Sequence, residues 1–353
     1  MPPFYWPLVL YALILVLHVG VPARTVDGYV RDRTGQPLRY RLNGLWVFIL
    51  TVAAWVAACR ADWLRWDSFY VYRWQMAAGA CVLGVAFTLV IVLPFPRNRS
   101  LGADLYLGRL ENPQWRAIDA KMALYLLGAI LLELNVLSFA AFHVQTFADQ
   151  PSSGVLLYAL LFTFFIAEYL SFEEVHLYTY DFVAERVGFK LGWGCLVFYP
   201  FFYPVGLWTT ADLPNPHTPV PLLVLCGVLF FAGWVLSRGA NLQKFQFKQD
   251  PTAKAFGLLE PRAISGEGQQ VLAGGFWSLS RHINYLGEIV MACALALSLG
   301  HPGQLGPWLY PLYYVALLLP RQAADDRRCA QKYGALWVDY CKRVPWRIIP
   351  RIY

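Results

Sequence analysis

Residues 281–300 read RHINYLGEIVMACALALSLG. Arg281, His282, Asn284, Tyr285 and Glu288 press directly against an apolar run. On a helix, Arg281 and Tyr285 share one face and Asn284 and Glu288 a neighbouring one, because residues four apart are neighbours. Such groups can grip an anion, hold a proton or line a polar cavity. Hydrogen-bonding groups near membrane depth are costly and are mostly functional or paired. The bland alternative is interfacial anchoring, with Arg281 and His282 reaching out to the headgroups.

Further along the chain, Lys244 and Lys248 lie one helical turn apart, a spacing that suits a phosphate clamp or a lipid-headgroup contact. Arg321 and Asp325 are also one turn apart, in RQAADDRRCAQKYG at 321–334. They read equally as a local ion pair in the basic flank that closes a span. The carboxyls Glu133, Glu168, Glu173, Glu174, Asp181 and Glu288 fall in or beside apolar runs. Buried carboxyls retain protons at higher pH, which is what a general acid needs; each alone also reads as a paired structural acid. Glu173, Glu174 and Asp181, together in FEEVHLYTYD, are harder to assign to structure alone. No GxGxxG or GxxxxGK phosphate loop, HExxH helix or Ser-His-Asp arrangement is present. The seven cysteines form no CxxC pair, so no metal site is expected.

The elements that position these residues follow from composition. The 353 residues are 58% hydrophobic and 14% charged, against about 25% charged in soluble domains. Apolar runs at 4–20, 44–60, 74–95, 122–147, 154–172, 190–209, 220–237, 285–300 and 307–319 predict an all-α polytopic membrane protein of about ten transmembrane helices. The runs are continuous rather than alternating, which argues against a membrane β-barrel. The first run lacks a basic start and a cleavage site, so it reads as a span rather than a signal peptide. Residues 21–43, 96–121 and 238–270 read as polar loops, and 321–353 as a basic amphipathic tail. The net charge of +7 sits in short loops and in this tail, the pattern of cytoplasmic membrane faces rather than of nucleic-acid binding. The whole of 1–353 reads as one domain, with its polar features in the last third.

Six motifs in order carry a resemblance: RYRLNG at 39–44, GADLYLGRLENPQWRAIDAK at 102–121, the stretch from FEEVHLYTYD to FYPFFY at 172–203, ANLQKFQFKQDP, GGFWSLSRHINYLGE, and RCAQKYGALWVDYCKRVPWRIIPRIY. Together they resemble the integral-membrane sterol reductases: the Δ14-sterol reductases, the 7-dehydrocholesterol (Δ7) reductases and the reductase half of the lamin B receptor. The resemblance implies about ten spans, an NADPH pocket built by about 238–353, and a second pocket open to the bilayer for the sterol. The implied cofactor contacts are Lys244, Lys248, Trp277, Arg281, His282, Asn284, Tyr285, Arg321, Asp325, Tyr333 and Tyr340. Lys248 stands where the family has Arg, which keeps charge and loses a bidentate fork. Gln322 and Ala324 replace a Glu and an Arg, Glu288 replaces Asp, and Ser278 replaces Gly.

The implied reaction is reduction of a Δ14 or Δ7 double bond by protonation followed by hydride delivery. The candidate proton donors are Tyr285, Asp325, Glu174 and Asp181. The location implied is the endoplasmic reticulum or a bacterial inner membrane, with the tail cytoplasmic. Two other readings stand beside this one: an S-adenosylmethionine-dependent membrane methyltransferase, whose C-terminal skeleton is similar, and a sterol-binding homologue without activity.

Overall fold

The computed structural model describes all residues of the chain except 33, 117 and 267. Each of the nine apolar runs is helical: Trp6–Gly20, Gly44–Arg60, Arg73–Val92, Ala120–Thr146, Ser153–Ser171, Phe189–Thr210, Val220–Gln249, Ile283–Ser298 and Leu305–Tyr333. Six among the described residues are long and apolar enough to cross a membrane, and Gly44–Arg60 and Ile283–Ser298 are shorter apolar helices. The chain is an all-α polytopic membrane protein. Its contacts divide it into two compact units, Met1–His217 and Thr218–Tyr353.

In the first unit, Ala120–Thr146 is apolar on every side and is buried along nearly its whole length, as a helix without a polar face must be. Asp119 caps its start by accepting from the Met122 N–H at 3.0 Å. The Phe189–Thr210 helix is interrupted by a π-helical segment at Gly194–Phe198 and by Pro200 and Pro204. Pro204 has no N–H to give the Pro200 carbonyl one turn earlier. The fully buried Asn135 supplies the missing donor, its Nδ2 lying 2.7 Å from that oxygen. The substitution is required because hydrocarbon leaves no water to satisfy the group.

Three polar stretches expected to be loops carry structure. Residues 21–43 hold an antiparallel hairpin, Arg24–Arg31 with Pro37–Leu42. Its Tyr40 and Leu42 pack against Met122, Leu177 and Phe182. Residues 96–121 contain a short helix, Leu101–Leu107, whose Asp104 pairs with Arg109 at 2.8 Å. In 238–270 the preceding helix continues through Gln249, and a second hairpin pairs Ala263–Gly266 with Gln269–Leu272. Polarity marks these segments as outside hydrocarbon; it does not mark them as irregular.

In the second unit, Val220–Gln249 crosses Ile283–Ser298 at small residues. A Cβ on Gly287 would lie 2.4 Å from the Gly233 oxygen and 2.5 Å from the Ser237 nitrogen, so the backbones approach as small residues permit. Ser237 adds a hydrogen bond to Glu288 at 2.6 Å. Gly300, with φ at 75°, ends Ile283–Ser298 and turns the chain into Leu305–Tyr333.

Candidate functional site

The polar cluster that introduces Ile283–Ser298 is assembled from four pieces of the second unit. The first is the end of Val220–Gln249. Asn241 Oδ1 accepts from Asn284 Nδ2 at 3.3 Å, and the Lys244 ammonium lies 5.6 Å from the Trp277 ring centroid. That separation is within cation–π reach.

The second piece is the 275–282 segment. Trp277 is fixed at both ends: its Nε1 donates to the Ala240 carbonyl at 2.9 Å, and its own carbonyl accepts from the Tyr340 hydroxyl at 2.9 Å. Burial pushes the Tyr340 phenol up, so it remains a donor. Gln243, itself buried, holds the start of the segment by donating to the Gly274 carbonyl and accepting from the Phe276 N–H, at 3.1 and 3.0 Å.

The third piece is the tail. The Arg281 and His282 N–H groups donate to the Trp346 and Arg347 carbonyls at 2.9 and 2.8 Å, and the Ser280 hydroxyl donates to the Ile348 carbonyl at 2.8 Å. The backbone of 346–348 thus holds 280–282 in place, which presents the Arg281 and His282 side chains at the helix entrance.

The fourth piece is the far half of Leu305–Tyr333. Asp326 receives His282 Nε2 at 3.3 Å, Arg281 Nη2 at 3.4 Å and Gln322 Nε2 at 2.5 Å. Burial would raise the Asp326 carboxyl. The hydrogen bond from His282 and the charges of Arg281, His282 and Arg347 outweigh it and hold the group below the usual carboxylate range. Asp325 lies at the edge of contact, 4.0 Å from His282 Nδ1. The His282 ring stacks on Tyr285 with centroids 5.0 Å apart.

Of the residues singled out in sequence, Lys244, Trp277 and Tyr340 meet at one wall, and Arg281, His282, Tyr285 and Asp325 meet at another. Lys248, one turn beyond Lys244, lines a groove of about 540 Å³ with Pro251, Ser265 and Gln269. Tyr333 packs beside Trp337 and Tyr340 in a small apolar cluster. Arg321 is half-buried on the helix that carries Asp325.

Sequence reasoning singled out Asp325 and missed Asp326, which meets His282, Arg281 and Gln322. Gln322 lies one turn before Asp326 and is bonded to it, whereas Asp325 points along the next face. It also missed Gln243 and Asn241.

Glu174 and Asp181 belong to the first unit. Glu174 is ion-paired with Arg24. The Asp181 carbonyl accepts from Lys121 Nζ at 2.8 Å. Glu173 has a structural role: it accepts from the Gly44 N–H at 2.9 Å and so caps Gly44–Arg60 from outside the helix. Asn43 is unavailable for that role because its amide is bonded to His18 Nδ1, the His18 carbonyl and the Val21 carbonyl. Burial pushes the Glu173 carboxyl up to about 7.

Arg281 Nε and Asn284 Oδ1 are buried and have no hydrogen-bond partner among the described residues. A buried donor on a cation and a buried acceptor, beside an aromatic wall that carries a lysine, suit a ligand with anionic oxygens, ring faces and hydroxyl or amide groups. A phosphorylated dinucleotide has all of these.

Comparison with known proteins identifies the family. The profile of the Ergosterol biosynthesis ERG4/ERG24 family matches residues 4–353. A Delta(14)-sterol reductase of Arabidopsis thaliana is 31% identical over 350 residues, covering 94% of this chain and 91% of that protein. The Delta(14)-sterol reductase of Methylotuvimicrobium alcaliphilum is 32% identical over 372 residues, covering 100% and 84%. The mouse Delta(14)-sterol reductase TM7SF2 is 31% identical over 366 residues, covering 99% and 86%.

Proposed function

Because the chain belongs to the ergosterol biosynthesis ERG4/ERG24 family, we propose that it is a sterol reductase that saturates a ring double bond at the expense of NADPH, the Δ14 bond rather than the Δ7 bond. The names of the relatives, each a Delta(14)-sterol reductase, favour Δ14. The observation that carries the cofactor assignment is the cluster built on 277–285, with its unpartnered Arg281 Nε and Asn284 Oδ1.

In this reading Lys244, Lys248, Arg281 and Arg321 supply positive charge to the phosphates. Trp277, held by Ala240 and Tyr340, offers a fixed ring face, with Tyr333 packed behind Tyr340. His282, Asn284 and Asp325 meet hydroxyl and amide groups. Asp326 touches none of the ligand: it aims Arg281 and His282.

An isolated ring alkene is a poor hydride acceptor, so reduction begins with a proton. NADPH, when bound, supplies the hydride that completes it. The chain must deliver the proton to one alkene carbon and keep water from the cationic carbon next to it, since water there would give an alcohol. Tyr285 and Asp325, which both lie beside His282, are the donors favoured here. Glu174 and Asp181 remain the donors of the first unit. The tail is assigned to the cytoplasmic side because Lys and Arg concentrate there.

Expression in yeast lacking its own Δ14-sterol reductase tests this reading. The expected result is disappearance of Δ14 sterols from the mass-spectrometric profile. Their persistence, with the protein present in membranes and binding NADPH, would rule out the Δ14 assignment.

A further inference from the structure

Gln322 is fully buried on the far half of Leu305–Tyr333, and its amide faces two groups. Nε2 donates to Asp326 Oδ2 at 2.5 Å, and Oε1 lies 3.4 Å from the Tyr353 hydroxyl. The chemistry of the neighbours fixes which end points where. Arg347 Nη1 lies 3.2 Å from the same hydroxyl. A guanidinium only donates, so the phenol oxygen accepts from Arg347 and sends its one proton to Gln322. Asp326, held below the usual carboxylate range, only accepts, so it takes the amide N–H. The result is a directed chain from Arg347 to Tyr353, from Tyr353 to Gln322 and from Gln322 to Asp326. Asp326 in turn meets Arg281 through Oδ2 at 3.4 Å and His282 through Oδ1 at 3.3 Å.

Tyr353 is also anchored by its main chain. Its main-chain oxygen accepts from the Arg347, Ile348 and Ile349 N–H groups at 2.8, 2.8 and 3.0 Å, and its own N–H donates to the Ile349 carbonyl at 3.0 Å. These groups belong to the strip whose carbonyls at 346–348 take Arg281, His282 and Ser280. Two routes therefore run from Tyr353 to Arg281 and His282. One passes through the strip to their main chain, and the other through Gln322 and Asp326 to their side chains.

We propose that Gln322 and Tyr353 are positioning residues for the dinucleotide: they touch none of it, and they hold Asp326 so that Arg281 and His282 face it. The proposal rests on the NADPH reading of this cluster. It requires a neutral donor at 322. Gln322→Glu would set a second carboxyl against Asp326, and two carboxyls in contact share one proton. With that proton, the introduced carboxyl donates to Asp326 as the amide does. Without it, two negative charges repel and Asp326 leaves Arg281 and His282. The other titratable and charged groups around Asp326 are Arg281 and His282 from the 275–282 segment, Arg347, Tyr340 and Cys341 from the tail, and Asp325 and Cys329 on its own helix. All of these are common to wild type and variant, so the ratio of the two affinities isolates the new carboxyl.

The test titrates purified full-length chain in detergent with NADPH, read by quenching of nicotinamide fluorescence, from about pH 5.5 to about pH 8. Gln322→Glu should bind within about twofold of wild type at the acid end and about tenfold more weakly at the alkaline end, the effect of about one unit of pKa shift. Tyr353→Phe keeps the main-chain anchor and should weaken binding about threefold at every pH, the order of a neutral hydrogen bond. In an Asp326→Asn chain Tyr353→Phe should cost nothing measurable, because residues that act through one group are not additive. A ratio of Gln322→Glu to wild type that stays constant across pH overturns the proposal. So does an equal loss from Tyr353→Phe with and without Asp326. So does Tyr353→Phe binding as tightly as wild type, and this change, at a partly exposed side chain, decides the matter even where the buried variant does not fold. A wild-type chain that binds no NADPH refutes the cofactor reading and this proposal with it; a wild-type chain that binds, with variants that fail these expectations, refutes this proposal alone.

Discussion

His282 Nε2 stands 3.3 Å from Asp326 Oδ1, across 44 residues of sequence. The same carboxylate takes Arg281 at 3.4 Å and Gln322 at 2.5 Å. The acid beside it, Asp325, reaches His282 only at 4.0 Å. The two consecutive carboxylates are thus placed differently: Asp326 meets three side chains, and Asp325 stands farther from His282.

Asp326→Asn should therefore weaken NADPH binding about tenfold, the order of a charge-assisted hydrogen bond, without abolishing it. Asp325→Asn should remove turnover while leaving NADPH affinity within about threefold, because a donor acts on the barrier rather than on ground-state binding. Titration calorimetry and a sterol-reduction assay separate the two. Because the folded Asp326 carboxyl sits below its ordinary value of 3.8, its stabilising contribution is complete above that pH and is lost as pH falls through the folded value. The Asn variant should lack that acid limb in thermal unfolding.

Trp277→Ala should lower NADPH affinity by about tenfold or more, since both a ring face and the partner of Lys244 are removed. Lys244→Arg should retain most of the affinity and Lys244→Ala should not. Quenching of nicotinamide fluorescence reads all three.

Glu173 carries the opposite pH dependence from Asp326. Burial lifts its carboxyl from 4.5 to about 7, so the folded state holds a proton that the unfolded state has released across that window. Stability from this group is present below 4.5 and declines as pH rises toward about 7. Glu173→Gln keeps an acceptor for the Gly44 N–H and should flatten that slope in melting curves recorded from pH 4 to about 8.

Asn135→Leu should destabilise the first unit by about 1–3 kcal/mol, because the Pro200 carbonyl would be left without a donor in a water-free interior. Gly287→Ala should push Val220–Gln249 away from Ile283–Ser298 at a similar cost, about 1–3 kcal/mol for overpacking. Thermal unfolding in detergent reads both, and NADPH affinity should fall with the glycine change because the cluster sits at that helix entrance.

The spans were legible in the sequence because hydrocarbon demands long, continuous apolar runs, and every such run became a helix. The break at Pro200 and Pro204 fell inside the run read as continuous at 190–209, and its rescue by Asn135 depends on the rotation of a helix 65 residues away. The 21–43 and 263–272 hairpins were hidden because outside the bilayer their short alternation competes with turn-forming residues. Within the candidate site, residue types and spacing located Arg281, His282 and Tyr285, and the family resemblance added Trp277. The choice between Asp325 and Asp326 was not in the sequence, since adjacent residues on one helix differ in direction and only packing fixes which of them meets His282. The tail read as a basic amphipathic end; its backbone carbonyls at 346 and 347, which hold Arg281 and His282, carry no sequence signature at all.

The central claim is that the polar cluster at the entrance of Ile283–Ser298 holds NADPH for sterol reduction. Its most direct measurement is isotope transfer by the purified chain, using NADPH deuterated at the transferable position and a Δ14 sterol, with the product read by mass spectrometry. The account predicts one deuterium in the saturated sterol and loss of that signal in Arg281→Ala and Trp277→Ala. A reduced product that carries no deuterium from the coenzyme, or a folded chain that neither binds NADPH nor forms product, would contradict it.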